Sequence, residues 1–226
     1  MMYLRKITSF VKRSGRLTEG QRKGLTDLWP RYGLDIEESP INIDHIFKNN
    51  HPITIEIGFG NGDTLIEMAE NYPELNFIGI EVYEAGIGRT INEANKKKLE
   101  NLKIINGDAV EVFKNSIPNE SFDRLQLFFP DPWHKKKHHK RRIVSEEFLD
   151  MIAKKLKIHG IIHMATDWEN YAQHMMTTLE AHKNFKNLAG DHKYSLGKNF
   201  RPITKFEKRG NRLGHGVWDL LFERNL

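Results

Sequence analysis

The sequence predicts an α/β fold: a mostly parallel sheet with helices on both faces and an antiparallel C-terminal strand. Three observations carry that prediction. From Pro52 onward, short β-branched or apolar runs alternate five times with segments of helical periodicity, the signature of βα units. Each of the five runs delivers an acid at or near its carboxyl end, at Glu56, Glu81, Asp108, Asp131 and Asp167. Beyond residue 200 the chain changes character, with strand-like runs over 200–206 and 217–222 around a glycine-rich link. In a parallel sheet, ligands bind beyond the carboxyl ends of the strands, so the acids collect at the ligand edge. Like charges repel, and a purely structural protein has no reason to gather five of them there.

The elements follow in order. Residues 1–50 are basic and then mixed, with breakers at Gly15, Gly20, Pro30, Gly33 and Pro40, and read as a basic N-terminal arm free to be flexible. Leu25, Leu28 and Trp29 are its expected anchors on the main domain, which covers 51–226. Ile53-Thr54-Ile55-Glu56-Ile57 is the first strand, stopped by Gly58-Phe59-Gly60-Asn61-Gly62. Leu65, Ile66, Met68 and Ala69 mark one face of a helix that ends at Tyr72-Pro73. The second strand spans 76–82. The helix after it turns Ile87, Ile91, Ala94 and Leu99 inward, although Gly86 and Gly88 weaken its first turn.

The third strand, 102–105, ends at Gly107-Asp108, and Val110, Val112, Phe113 and Ile117 belong to a short helix. The fourth strand, 122–129, delivers Pro130-Asp131. Ser145 then caps a helix with Glu146 and Glu147 in its favourable first turn. Phe148, Leu149, Ile152 and Leu156 are its buried stripe, and Gly160 is its expected end. A fifth strand over 161–165 leads to Thr166 and Glu169 at capping-box spacing. That box opens a helix with Trp168, Tyr171, Met175, Met176 and Leu179 on one side.

Charge narrows the partner. The net charge of +5 divides into +6 over residues 1–24, +6 over 134–142 and −7 over the rest. Two basic patches on an acidic body point to a polyanion, nucleic acid first. The chain contains no cysteine, which removes disulfides, thiolate metal sites and a cysteine nucleophile, and fits a reducing, cytoplasmic setting. No apolar run is long enough to span a membrane, and residues 1–10 lack the apolar core of a secretory signal. The expected state is a monomer with no obligate protein partner. His138 and His139 are adjacent, which is poor ligand geometry, so no metal is expected.

The glycine turn departs from the dinucleotide fingerprint. It reads G-x-G-x-G, with Glu56 two residues before it and Asp63 after it. A carboxylate beside that helix start repels a pyrophosphate but suits a ligand bearing an ammonium and a sulfonium, as S-adenosylmethionine does. In that reading Gly58, Gly60 and Gly62 form the cradle and Glu81 accepts both ribose hydroxyls. Asp108 accepts from the adenine amino group or a backbone-bound water. Asp131 sits on a proline-stiffened turn directly before Lys135, Lys136, Lys137, Lys140, Arg141 and Arg142. The competing reading of Asp131 is a turn-capping residue between two prolines, and that of Asp167 is a helix cap.

The stretches EIGFGNG, GIEV, GDAVEVF, FFPDPWHKKKHHKRRIV, MATDWENYA and TKFEKRGNRLGHGVWDL together resemble the bacterial tRNA (guanine-N7-)-methyltransferase family, TrmB. The resemblance covers essentially the whole chain, and PDPWHKKKHHKRR with TKFEKRG is its specific part. It implies a class I S-adenosylmethionine-dependent methyltransferase, Rossmann-like in fold, with tRNA as the substrate and the variable-loop guanine at position 46 as acceptor. It also implies cofactor contacts at Glu56, Glu81, Asp108 and Asp131, with Asp131 catalytic. Substrate contacts fall on Lys135, Asp167, Thr204, Lys205, Phe206 and Glu207. The loop carrying Lys136, Lys137, Lys140, Arg141 and Arg142 corresponds to an RNA-facing region. Two alternatives stand beside it: a non-catalytic RNA-binding module on a methyltransferase scaffold, and an amino-directed DNA methyltransferase with a D-P-P-[YW] turn. Against the second, only one proline follows Asp131 and no DNA-recognition domain is evident.

Overall fold

The structure, a computed structural model, describes residues 8–11, 15–36, 40–196, 201, 202, 207 and 216–225. Its centre is a seven-stranded sheet: β1 (Ile53–Ile57), β2 (Asn76–Glu81), β3 (Leu102–Asn106), β4 (Phe122–Phe128), β5 (Leu156–Thr166), β6 (Phe185–Asn187) and β7 (Trp218–Arg224). The strand order is β3-β2-β1-β4-β5-β7-β6. The first five strands pair in parallel, and β7 runs antiparallel to both β5 and β6. The order reverses between β1 and β4, so the crevice where ligands bind in such sheets lies beyond their carboxyl ends.

Helices cover both faces because the parallel strands are apolar on both. All five residues of β1 are buried. On one face, α4 (Asp63–Asn71) and α5 (Glu84–Lys96) pack Leu65, Ile66, Ile87 and Ile91 against Phe77 and Ile104. On the other, α6 (Ala109–Asn115), α7 (Glu146–Lys155) and α8 (Glu169–Ala181) bring Phe113, Phe148, Ile152 and Met175 onto Ile55, Leu125 and Ile162. Each such side chain contributes about 1.5–3 kcal/mol of hydrophobic burial. The cap on α7 is as expected: Ser145 Oγ accepts the Phe148 N–H at 3.2 Å.

Several boundaries differ from expectation. Residues 15–50 contain three short helices, α1 (Glu19–Thr26), α2 (Trp29–Tyr32) and α3 (Ile43–Ile46). Two of the supposed breakers belong to them: Gly20 lies inside α1, and Pro30 sits in the first turn of α2, where its missing N–H is harmless. A reciprocal capping box starts α1, with Gln21 N–H on Thr18 Oγ1 at 3.2 Å and Thr18 N–H on Gln21 Oε1 at 2.9 Å. Leu25, Leu28 and Trp29 pack against the α4/α5 cluster. Gly24 and Gly88 let α1 cross α5 at backbone contact, since a Cβ on Gly88 would stand 2.2 Å from the Gln21 carbonyl oxygen. The glycine that weakens the propensity of α5 is therefore what admits its neighbour.

Helix α7 ends at Lys155 and not at Gly160. Strand β5 begins at once, with a bulge opposite Phe122 and Arg124 and with His159 at φ +64°. Gly160 serves that bulge, where a Cβ would lie 2.7 Å from Leu156 Cδ1. The expected Thr166–Glu169 capping box is absent. Thr166 Oγ1 accepts the Trp168 N–H at 3.2 Å, and α8 starts behind Trp168 without a side-chain cap. Strand β6 was not expected. The strand expected over 200–206 falls mostly outside the described residues, and Arg201 and Pro202 are not in a strand.

Candidate active site

The carboxyl ends of β1, β2 and β4 surround a cavity of about 370 Å³. Strand β1 leads into it through Glu56, and the chain then turns through Gly58 (φ +72°), Gly60 (φ +58°) and Gly62 (φ +74°). This left-handed run is one that glycine adopts without strain. Among the described residues other than the chain neighbours, no atom lies within 4 Å of where a Cβ would project from Gly58 or Gly60, so their backbone faces open cavity. Gly62 instead caps α4 and packs on Thr90. Gly86 on α5 backs directly onto the turn, since a Cβ there would lie 2.0 Å from the Gly60 oxygen. Arg89, on α5, bonds the Asn61 carbonyl and reaches Asp63 Oδ1 at 2.7 Å. The Asp63 charge is thus compensated, and Glu56 is the carboxylate that remains uncompensated in the turn.

Glu56 is only 3% exposed and its Oε2 has no hydrogen-bond partner among the described residues. Burial, reinforced by the neighbouring Glu81 carboxylate, pushes its pKa up to about 8. A buried carboxyl in that state calls for a cation or donor from a ligand. Glu81 differs. Its Oε1 accepts the N–H groups of Val82 (2.7 Å) and Tyr83 (3.0 Å), and its Oε2 accepts the Gly60 N–H at 2.8 Å. The second acid therefore fastens the glycine turn to β2 while still lining the cavity. A cationic, hydroxyl-bearing ligand matches this donor set.

Asp131 lies at the rim of the cavity, exposed, with no hydrogen bond to a described residue. Asp108 caps α6, its Oδ1 accepting the Val110 N–H at 3.1 Å, and it is its neighbours Gly107 and Ala109 that line the cavity. Asp167, exposed at the end of β5, and Lys135, exposed on the loop after β4, stand outside the cavity. Glu207 is buried, its Oε2 2.6 Å from Arg201 Nη1. Thr204, Lys205 and Phe206 lie outside the described residues.

The basic loop divides into two kinds of residue. Lys136, Lys137 and Lys140 are exposed on a 3-10 turn, Lys136–Arg141. Arg142, expected to face RNA, is instead 6% exposed. It donates to the Pro132 carbonyl (3.0 Å) and Asn170 Oδ1 (2.7 Å) and lies over the Tyr171 ring. Arg141 stacks on Trp133 and donates to the carbonyls of Thr8 (2.9 Å) and Phe10 (3.0 Å). Trp133 Nε1 adds a bond to the Ser9 carbonyl at 3.1 Å. By these contacts Ser9, Phe10 and Val11 come to line the cavity from outside the sheet. Sequence reasoning missed that segment, together with Arg89 and Arg201, because none of them sits on a strand end or in a periodic pattern.

Comparison with known proteins agrees with this geometry. The family described as "Putative methyltransferase" matches residues 50–220. The solved 16S rRNA methyltransferase KamB superposes with a TM-score of 0.57 at 13% identity, covering 99% of this chain and 100% of that one. The antibiotic-resistance methyltransferase Kmr gives 0.56 at 11% identity, over 85% and 96%. At such identities the likeness is one of fold, that of the class I S-adenosylmethionine-dependent methyltransferases. Sequence relatives are far nearer. A tRNA (guanine-N(7)-)-methyltransferase of Shewanella amazonensis is 54% identical over 223 residues, 99% of this chain and 94% of that one. Its namesake from Psychromonas ingrahamii is 54% identical over 98% and 91%. At that identity over nearly the full length of both partners, the chain belongs to the tRNA (guanine-N(7)-)-methyltransferase family.

Proposed function

We propose that the protein transfers the methyl group of S-adenosylmethionine to N7 of a guanine in tRNA, the variable-loop guanine at position 46. The observation that carries this reading is the buried Glu56 carboxylate, partnerless at Oε2, in a glycine-turn cavity whose rim bears Asp131. Family membership supplies the acceptor, since the relatives named above are tRNA (guanine-N(7)-)-methyltransferases.

The donor, when bound, supplies an electrophilic methyl on a sulfonium. Glu56 Oε2 would accept from its ammonium group, and Gly58 and Gly60 would let backbone approach it closely. Glu81 Oε2, with one lone pair already on Gly60, offers the other to a ribose hydroxyl. Asp108 has Oδ1 committed to α6, so Oδ2 is its atom for the adenine amino group.

Guanine N7 carries an in-plane lone pair and needs no deprotonation before attack. The main task of the chain is therefore alignment of N7, methyl and sulfur in line. A guanine methylated at N7 would carry positive charge, which the Asp131 carboxylate would stabilise. Asp131 also accepts from the guanine N1–H and N2 amino group, with Asp167 sharing that recognition and Lys135 suited to O6 or a phosphate. Thr204, Lys205, Phe206 and Glu207 complete the substrate side in this reading. Lys136, Lys137 and Lys140 hold the RNA by charge, which fits folded tRNA read by shape and exposed bases. The protein is read as a monomer, and the cysteine-free composition fits a cytoplasmic enzyme.

The test is nucleoside mass spectrometry of unmodified tRNA incubated with the protein and labelled S-adenosylmethionine. Appearance of 7-methylguanosine at position 46 is expected. A non-catalytic RNA-binding module would bind tRNA and yield none.

A further inference from the structure

Outside the cavity, the described residues hold one dense cluster of buried charge, at the junction of β4, β5 and β7. Arg201 is its centre. Its Nε and Nη2 donate to Asp219 Oδ1 (2.7 Å) and Oδ2 (2.8 Å), a two-pronged grip on β7. Its Nη1 donates to Glu207 Oε2 at 2.6 Å and to the Pro202 carbonyl at 3.3 Å. Asp219, paired across from Ala165 on β5, also accepts from His163 Nε2 at 2.8 Å. The guanidinium is therefore locked in the plane of its partners, as a planar fork binding a carboxylate is.

The apolar side of the same guanidinium faces the Phe128-Phe129 step that leads to Asp131. Its central carbon is 5.5 Å from the ring centroid of Phe128 and 5.5 Å from that of Phe129. Successive side chains of an extended strand point to opposite faces, so two adjacent rings cannot ordinarily meet one cation. They do so here because Phe129 has φ +52°, with its N–H held by the Ala165 carbonyl at 2.8 Å. A bulky side chain adopts that conformation only where its surroundings enforce it. Two residues later comes Asp131.

We infer that Arg201 is a positioning residue for methyl transfer: through its contacts with Phe128, Phe129, Asp219 and Glu207 it fixes the left-handed turn that aims Asp131, and ties that turn to Glu207. Arg201 touches neither donor nor acceptor. The inference rests on the proposed function. It adds a residue outside the quoted motifs, and it gives Glu207 a role as a partner that holds Arg201 in place.

The experiment compares wild type, Arg201→Lys and Asp219→Asn in three measurements: thermal melting, S-adenosylmethionine affinity by calorimetry, and the single-turnover rate with saturating tRNA. Lysine keeps the charge and loses the fork, and asparagine keeps one acceptor of the pair. Both variants are expected to bind cofactor within about twofold of wild type. Both should transfer methyl about 100-fold more slowly, the scale of a misaimed reacting group. Arg201→Lys with a wild-type single-turnover rate overturns the inference. So does a loss of cofactor affinity equal to the loss of rate, because that marks general collapse of the sheet edge. If Arg201→Lys does not fold, Asp219→Asn decides by the same criteria. Wild-type protein that methylates no tRNA guanine refutes the proposed function itself, whereas an active wild type with equally active variants refutes only the role of Arg201.

Discussion

The guanidinium of Arg141 lies 3.7 Å from the centroid of the Trp133 ring and, from that position, holds the carbonyls of Thr8 and Phe10. The pair connects the turn bearing Asp131 and the basic loop that follows it to an N-terminal segment far earlier in the chain, whose residues 9–11 line the cavity. A stacked cation of this kind is worth about 0.5–2 kcal/mol, and its charge-assisted bonds to the carbonyls add to that. Arg141→Ala should free the segment and lower S-adenosylmethionine affinity roughly tenfold, the equivalent of about 1.4 kcal/mol. Calorimetry with limited proteolysis checks it. Unchanged affinity together with unchanged cleavage around residues 8–11 would show that the segment does not close the cavity.

In the proposed reading, in which Glu56 receives the ammonium of the donor, cofactor binding is a proton-linked event. Its folded pKa is raised from the usual carboxyl value of 4.5 to about 8, by burial first and by Glu81 second. A raised carboxyl binds its proton more tightly in the folded than in the unfolded chain. It therefore stabilises the ligand-free protein most below about pH 4.5, and that contribution fades as pH rises through 8. A ligand ammonium needs the ionised form, so binding at pH 7 should release a proton. Affinity should climb up to about tenfold per pH unit until pH 8 and then level off. Calorimetry in two buffers of different ionisation enthalpy measures the proton. In Glu56→Gln the release and the pH slope should both vanish. A slope that survives in the variant would assign the linkage to another group.

Gly86 and Gly88 sit two residues apart on α5 and predict two different defects. A Cβ on Gly86 would meet the Gly60 carbonyl oxygen at 2.0 Å, on the cofactor turn. A Cβ on Gly88 would meet the Gln21 carbonyl oxygen at 2.2 Å, on α1. Both contacts are with backbone, so neither is relieved by a rotamer change. Gly88→Ala should cost about 1–3 kcal/mol of overpacking strain and lower amide-exchange protection in α1, with cofactor affinity retained. Gly86→Ala should weaken cofactor binding instead. Equal effects of the two on α1 protection would mean that the helices do not cross as described.

What the sequence disclosed divides along physical lines. The five parallel strands and their order of chemistry were legible, because β-branched runs, glycine stops and terminal acids are local signals. Glu56 and Asp131 were legible for the same reason: each stands beside a turn whose residues announce it. Arg142 was not, because a guanidinium in a lysine-rich run carries no local mark of being buried against Asn170 and Tyr171. The α1 helix was readable in the Thr18-x-x-Gln21 box but was obscured by Gly20 and Gly24. The second of these glycines is explained only by contact with Gly88. Arg201 needed the fold outright, since its partners Asp219 and Phe129 lie 18 residues after it and 72 before it.

The split within the basic loop gives the last prediction. Lys136, Lys137 and Lys140 are exposed, so their charges are available to phosphates. Arg142 spends its donors on Pro132 and Asn170 and its face on Tyr171. Each phosphate neutralised by a cation contributes about 0.7–0.9 to the slope of log affinity against log salt. Replacing the three lysines by glutamine should therefore lower the tRNA salt slope by about 2 and leave melting unchanged, since exposed side chains contribute within about 0.5 kcal/mol. Arg142→Gln should do the opposite, leaving the salt slope within error while lowering the melting temperature. The test is a binding titration at four salt concentrations beside a thermal melt of each variant. A salt slope that falls with Arg142→Gln and not with the lysine triple variant would place the RNA on the other side of the loop.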